Sequence, residues 1–274
     1  MTSLNIIGAG RVGQTLGRLW VSAGVFQLHA VMARAHDRAQ QACNFISAGQ
    51  PVTDLKSLPE ADVWLLSVPD GHIAPVAQAL ATRATASGVS RPALALHCSG
   101  ALASNQLEPL RQLGWQVASA HPLLSFAQPE RALSQFAGTP CALEGDAAAL
   151  PVLQAAFSQI GARCFALAAQ DKLLYHAGAV FATNFLPVLQ DLAEQLWQRS
   201  GMPADLAQQM RSTLLHNAVN NIVALGPQAA LTGPAARGDT TLVAQQGQAL
   251  SDWNPLVGEA YAKLSALASQ LARR

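Results

Sequence analysis

The 274-residue chain predicts a doubly wound α/β domain with a mostly parallel sheet, followed by an all-α domain. Three observations carry this reading. A short apolar strand at the start runs into a glycine-rich turn and an amphipathic helix. Strand-like apolar runs then alternate with helical patterns as far as Leu167. From Ala168 onward only the helical period remains, so the expected domains are residues 1–167 and 168–274.

Taken in order, Leu4-Asn5-Ile6-Ile7 reads as a buried strand. Val12, Leu16, Leu19, Trp20 and Ala23 then place one apolar face on a helix, and Gly24 ends it. Residues 27–32 form the second strand. The near-continuous apolar run Val63-Trp64-Leu65-Leu66 suits a parallel strand covered on both faces, and it closes with Ser67-Val68-Pro69-Asp70. A helix is expected at 73–84. The strand at 93–97 ends in Cys98-Ser99-Gly100, and the one at 116–120 ends in His121-Pro122. Strands at 141–144 and 164–167 flank a helix at 147–160. Beyond them the pattern predicts one long helix over 171–199, kinked at Pro187, and helices at 203–225, 242–253 and 255–272.

The first turn carries the chemistry. Gly8-Ala9-Gly10-Arg11-Val12-Gly13 has the G-x-G-x-x-G spacing, after a strand and before a helix, which is the context that makes this motif a dinucleotide site. Gly8 permits the tight turn, Gly10 lets backbone approach a pyrophosphate, and Gly13 brings helix and strand together. The helix N-terminus offers free N–H groups and the positive end of its dipole to the phosphates. A Rossmann domain is therefore expected. An NAD site places Asp or Glu about 20 residues beyond the glycines. Here the second strand ends in Met32-Ala33-Arg34, with no acid at that point. Arg34 sits where a 2′-phosphate would lie, and Arg38 or Arg11 can assist it. Asp37 reads as a helix N-cap, with Gln40 completing a capping box. The expected cofactor is NADP(H), with NAD(H) as second choice. Ser67, Val68 and Pro69, at a strand's carboxyl end, should border it.

Candidate reacting groups lie at later strand ends and on the first helix of the second half. Ser99 and His121 each follow a strand, and Lys172 and His176 share a helix face at a spacing of four. Thr183 falls within about 20° of Lys172 on an ideal helix, with Asn184 at the edge of the same stripe. Polar groups on a mostly apolar helix call for partners or a ligand. Each also has a plain structural reading: Ser99 as a turn or cap, His121 as a turn anchor, Lys172 as solvated surface. His121 is the expected acid–base residue, since an ordinary histidine titrates in the useful range.

Composition narrows the partners. A net charge of +1 with no basic run argues against nucleic acid. No apolar run reaches the ~20 residues of a membrane span, and no basic leader precedes the first strand. Cys43, Cys98, Cys141 and Cys164 are scattered, without metal-ligand spacing. They read as reduced thiols of a cytoplasmic protein, and no metal site is expected.

The chain resembles the 6-phosphogluconate dehydrogenase-like and pyrroline-5-carboxylate reductase-like superfamily. Within it the chain is most similar to the Rossmann-like proteins whose helical half is the domain of unknown function 2520. The resemblance rests on Gly8–Gly13, His97-Cys98-Ser99-Gly100-Ala101, His121-Pro122-Leu123-Leu124-Ser125-Phe126, Tyr175-His176-Ala177 with Asn184-Phe185, and the stretch from Leu231 to Asp239. Prephenate dehydrogenases have a serine after one strand and a His-Pro pair some twenty residues on, similar to Ser99 and His121-Pro122. That likeness implies that His121 polarises a substrate hydroxyl. Hydroxyacid dehydrogenases carry Lys-x-x-x-Asn on the first helix after the sheet. Lys172 matches the lysine, but His176 replaces the asparagine. The resemblance also implies a homodimer through the helical domain. The expected activity is hydride transfer between NADP(H) and a small carbonyl, hydroxy or imine compound at the domain interface. In it, His121, Lys172, His176 and Ser99 would be the reacting set, and Thr183 and Asn184 would contact substrate. The alternative is a non-catalytic NADP(H)-binding sensor or scaffold.

Overall fold

The computed structural model describes residues 1–86 and 92–274, which divide into two compact units, Met1–Asn184 and Phe185–Arg274. The first unit is built on strands β1 (Ser3–Ile7), β2 (Gln27–Met32), β3 (Gln50–Val52), β4 (Val63–Leu66), β5 (Leu94–His97), β6 (Gln116–Pro122), β7 (Pro140–Gly145) and β8 (Arg163–Ala166). They form one sheet in the order β3-β2-β1-β4-β5-β6-β7-β8. Every neighbouring pair is parallel except β6 and β7. The connecting helices are α1 (Arg11–Ser22), α2 (His36–Ile46), α3 (Asp70–Ala86), α4 (Glu108–Arg111), α5 (Pro129–Gln135), α6 (Ala149–Gln159) and α7 (Lys172–Ala179).

Strand alternation explains the layers. Side chains along a strand point to opposite faces. Accordingly, Ile6, Val63 and Leu65 join one buried cluster while Ile7, Trp64 and Leu66 join the other. Trp20 on α1 packs edge-on against Phe26 and Phe157, with ring centroids 5.2 Å apart in each case. Its indole N–H is satisfied by the Ala156 carbonyl at 3.1 Å. Strand order reverses between β1 and β4, so a crevice opens at their carboxyl ends.

Local details depart from the sequence pattern in four places. Strand β6 does not stop at Ala120: His121 and Pro122 continue it, paired with Ala142 and Cys141 of the antiparallel β7. The added pairing partner holds His121 in extended backbone. At α2 the N-cap is Ala35, not Asp37. Asp37 lies inside the first turn, where the helix dipole favours it, and the Gln40 amide donates to Asn44 at 2.8 Å. The single helix expected over 171–199 is interrupted by a π-turn at Val180–Asn184. The turn immediately precedes Pro187, which has no N–H for the carbonyl four residues back, so the helix widens upstream of the proline. Finally, the helix ends at Leu225 as expected, broken by Gly226 with φ 78°, but a further helical turn that the pattern does not show follows from Pro227 to Ala230, and α9 spans both.

The second unit consists of α8 (Phe185–Arg199), α9 (Ala204–Ala230), the short α10 (Pro234–Arg237), α11 (Thr240–Trp253) and α12 (Pro255–Ala272). Asp239 and Asn254 cap α11 and α12, accepting from Leu242 N–H at 3.0 Å and Leu256 N–H at 3.1 Å. Its described helices bury only Ala207, Gly258 and Ser265, while Leu186, Val188, Leu214, Val223, Leu256 and Leu267 are exposed. Among the described residues, no helix is long and apolar enough to cross a membrane.

Candidate active site

The glycine motif forms a cradle above the β1–β4 reversal. Gly8 has φ +112°, and a Cβ there would meet the Ser67 carbonyl oxygen, so both its backbone conformation and its surroundings require glycine. Ser67 Oγ donates to the Gly8 carbonyl at 2.7 Å, and at Gly13 a Cβ would lie 2.7 Å from that same carbonyl oxygen. Gly10 is different. Among the described residues a Cβ there would find only the Ser67 oxygen, 3.8 Å away, so none of them accounts for the missing side chain. The space it leaves belongs to a cavity of about 440 Å³ lined by Gly8, Ala9, Gly10, Arg34, Arg38, Ser67, Val68, Pro69 and His72. Val12 packs against the core, whereas Arg11 is exposed at the start of α1 and is not among the lining residues. The Arg34 guanidinium reaches His72 Nε2 at 3.4 Å. A glycine cradle, a helix N-terminus and two guanidiniums match the needs of a phosphorylated dinucleotide.

The far edge of this cavity is tied to a second cluster. Pro69 leads into Asp70 at the start of α3, and Ser99 Oγ donates to Asp70 Oδ2 at 2.8 Å. The same Oγ accepts from the N–H groups of Ala101 and Leu102 at 3.2 and 2.9 Å, which makes Ser99 the hinge of the turn after β5. Ser119 Oγ donates to the Ser99 carbonyl at 3.2 Å. Lys172 Nζ donates to that carbonyl at 3.1 Å and to Ser119 Oγ at 2.8 Å. Lys172 is thus fully buried rather than solvated, and it pins α7 to the carboxyl ends of β5 and β6. Burial lowers its pKa. Among the described residues no carboxylate forms an ion pair with it.

His121 and His176 face each other above this anchor, ring centroids 5.9 Å apart. Gly100 makes the approach possible: a Cβ there would overlap His176 Cδ2 and lie 2.8 Å from His121 Nε2. Tyr175 Oη is 3.0 Å from His121 Nδ1, with the two rings edge-on. Burial, then the Lys172 charge, pushes the His121 pKa down to about 4. The ring is therefore neutral at neutral pH, contrary to the expectation of an ordinary histidine titration. His97 is a satisfied core histidine: its Nδ1 accepts from Ser99 N–H at 3.2 Å and its Nε2 lies 3.0 Å from the Ala103 carbonyl. His121 and His176 line a cavity of about 360 Å³ together with Ser125, Thr183 and Asn184. Thr183 turns its hydroxyl to the Ala179 carbonyl at 2.9 Å and to Asn184 Oδ1 at 2.8 Å. Lys172 is not among the lining residues.

Comparison with known proteins agrees with this geometry. Residues 1–122 match the model of a Rossmann-like domain, and residues 139–268 match the domain of unknown function DUF2520. The DUF2520 match begins at Thr139, so β7, α6 and β8 of the sheet fall within it, as does α7 with Lys172, Tyr175 and His176. Among solved structures, protein TM1727 of Thermotoga maritima is 26% identical with a TM-score of 0.75, over 98% of both chains. BF3122 of Bacteroides fragilis, named for an inferred NADP oxidoreductase activity, is 24% identical with a TM-score of 0.78, over 98% of both. The Plasmodium falciparum pyrroline carboxylate reductase with NADP bound is 11% identical, with a TM-score of 0.58 and the same coverage. The chain shares its fold with these solved structures, the pyrroline carboxylate reductase among them. Among curated proteins none matches the sequence.

Four partners escaped the sequence reading. Asp70 and Ser119 were silent because nothing in a strand-end acid or a strand serine announces a partner tens of residues away. Tyr175 stood in a quoted motif without a role. His72, four residues from Val76 on α3, reaches the cavity only through the helix geometry.

Proposed function

We propose that this chain is an NADP(H)-dependent oxidoreductase that transfers a hydride to or from a small carbonyl, hydroxy or imine compound. The observation that carries the reading is continuity: Asp70, next to Pro69 on the rim of the dinucleotide cavity, is bonded to Ser99, and the following Gly100 packs against the half-buried His121–His176 pair. Relatives of the same fold lend support through their names, which include an NADP oxidoreductase and a Myxococcus stipitatus imine reductase in complex with NADP+. Bound cofactor would supply the hydride. Arg34, with Arg38, would pair with a 2′-phosphate, and Ser67, Val68 and Pro69 would line the nicotinamide side. His121 would contact the reacting oxygen or nitrogen of the substrate. His176, Thr183 and Asn184 would orient the rest of it. Lys172 acts from beneath, fixing α7 and placing a positive charge behind the histidines. The division of labour we propose puts dinucleotide binding in residues 1–167, which also supply His121, and the remaining substrate contacts and the subunit contacts in 168–274.

A homodimer through the helical unit is part of the proposal. Helices that leave so many large apolar side chains exposed cannot offset their own ordering entropy, and an obligate interface supplies the missing burial. Sedimentation at micromolar concentration would give twice the chain mass, and a monomer would refute it. The free thiols support a cytoplasmic location.

The direct test combines two measurements: fluorescence titration with NADPH and NADH, and a screen of small carbonyls and imines for NADPH consumption. Tighter NADPH binding with turnover of one compound class is the expected outcome. Tighter NADH binding would overturn the cofactor choice, and binding without turnover across the panel would overturn the hydride-transfer reading.

A further inference from the structure

We propose that Tyr175 is the positioning residue that fixes the tautomer of His121, so that Nε2–H is presented to a lone pair on the substrate and carbonyl or hydroxy compounds are preferred over protonated imines. This rests on the hydride-transfer reading above. The contact is specific: Tyr175 Oη lies 3.0 Å from Nδ1, and the phenol ring is held edge-on against His121 and Phe165 at 5.5 and 6.0 Å. Among the described residues Oη has no other hydrogen-bond partner.

Chemistry decides the direction of that bond. A phenol O–H is a stronger acid than a neutral imidazole N–H, and an imidazole lone pair is a better acceptor than a phenolic oxygen. Burial strengthens the case by pushing the Tyr175 pKa up to about 12, which keeps the phenol protonated. Tyr175 therefore donates to Nδ1. The neutral ring must then carry its proton on Nε2, since the bond at one ring nitrogen sets the state of the other. Nε2 lies on the ring edge beside Gly100, and His121 lines the cavity that would take the substrate.

A donor at Nε2 selects its ligand. A carbonyl or hydroxyl oxygen offers the lone pair that N–H needs, whereas a protonated imine would bring a second N–H against it. In the reducing direction, a hydride reaches the carbonyl carbon and the C=O π pair moves onto oxygen. The Nε2 proton passes to that oxygen, leaving its bonding pair on Nε2. The Tyr175 proton moves to Nδ1, so the ring ends as the opposite neutral tautomer and the phenolate takes a proton from water. The transfer runs downhill, because a phenol at about 12 is still a far stronger acid than an aliphatic alcohol.

The test is long-range ¹⁵N NMR of the histidine rings in the full-length protein, before and after Tyr175→Phe, with kcat and KM on a carbonyl found by the NADPH screen. The unmodified protein should show His121 protonated at Nε2 and Nδ1 as a hydrogen-bonded acceptor. In Tyr175→Phe, which keeps the ring contacts, the two tautomers should mix, and kcat should fall about 10- to 100-fold with little change in KM. His121 protonated at Nδ1 in the unmodified protein, or a variant with an unaltered tautomer, would overturn the assignment. An altered tautomer with unaltered kcat would overturn the proton path, and faster turnover of protonated imines than of carbonyls would overturn the preference. No turnover of any compound, with the Nε2–H signature intact, would count against hydride transfer and not against the tautomer.

Discussion

Gly100→Ala isolates the geometry on which the site depends. The new Cβ would lie 2.8 Å from His121 Nε2 and 2.9 Å from its Cε1, and it would overlap His176 Cδ2. Carbon atoms in contact settle near 3.5–4.0 Å, so His121 must retreat by roughly 0.7 Å and His176 by about 1 Å. The backbone at Gly100 is outside the left-handed region, so alanine adds no φ strain. Overpacking costs about 1–3 kcal/mol, and alanine returns roughly 0.4–1 kcal/mol through the unfolded chain. We expect a net loss of no more than about 2.6 kcal/mol in urea denaturation. A misplacement of about 1 Å at a reacting group costs about 10²-fold, so kcat/KM should fall about 100-fold while NADPH binding is retained. Histidine ring cross-peaks would report the displacement independently. Displaced rings with unchanged kcat/KM would refute the reasoning, because the pair would then not border the reaction.

Three further outcomes follow from named contacts. Lys172→Met removes a buried ammonium while Ser119 Oγ still donates to the Ser99 carbonyl. Stability should hold or rise by up to about 2 kcal/mol, and the His121 pKa should rise as the Lys172 charge goes; a loss beyond about 3 kcal/mol would contradict it. Arg34→Ser should weaken NADPH binding about 10-fold or more and leave NADH binding nearly unchanged, as read by fluorescence titration. His97 has its pKa lowered by burial from 6.5 to about 4, so the folded chain binds fewer protons than the unfolded chain between those values. Stability therefore rises with pH across this window and is lost on acidification. His97 alone accounts for roughly 2 kcal/mol between pH 7 and pH 5 in denaturant melts, and His121 acts in the same direction.

The fold was legible wherever burial is uniform. Strands β1 and β4 are covered on both faces, so their apolar runs identify them without ambiguity, and Gly8–Gly13 between strand and helix marks the cradle. Strand β3 was missed because one exposed and two half-buried residues carry no period. The π-turn at Val180–Asn184 was missed because a proline signals a kink but not which side will absorb it. The candidate site was legible as a set of residue types: His121, His176, Thr183 and Asn184 do line one cavity. Their roles were less so. Whether Lys172 faces substrate or backbone depends on Ser99 and Ser119, residues 73 and 53 positions away. The His121 pKa depends on burial that no local pattern encodes. The expected boundary at Ala168 coincides with the end of the strands, whereas the compact unit extends to Asn184, because Lys172, Tyr175 and His176 bind α7 to the sheet.

The central claim is that His121 meets the reacting atom beside a bound NADP(H). His121→Ala, assayed for turnover of the identified substrate and for NADPH affinity in parallel, tests it most directly. The expected result is a fall in kcat of about 10²-fold or more with NADPH affinity unchanged. Turnover equal to that of the unmodified protein would remove His121 from the mechanism and contradict the reading.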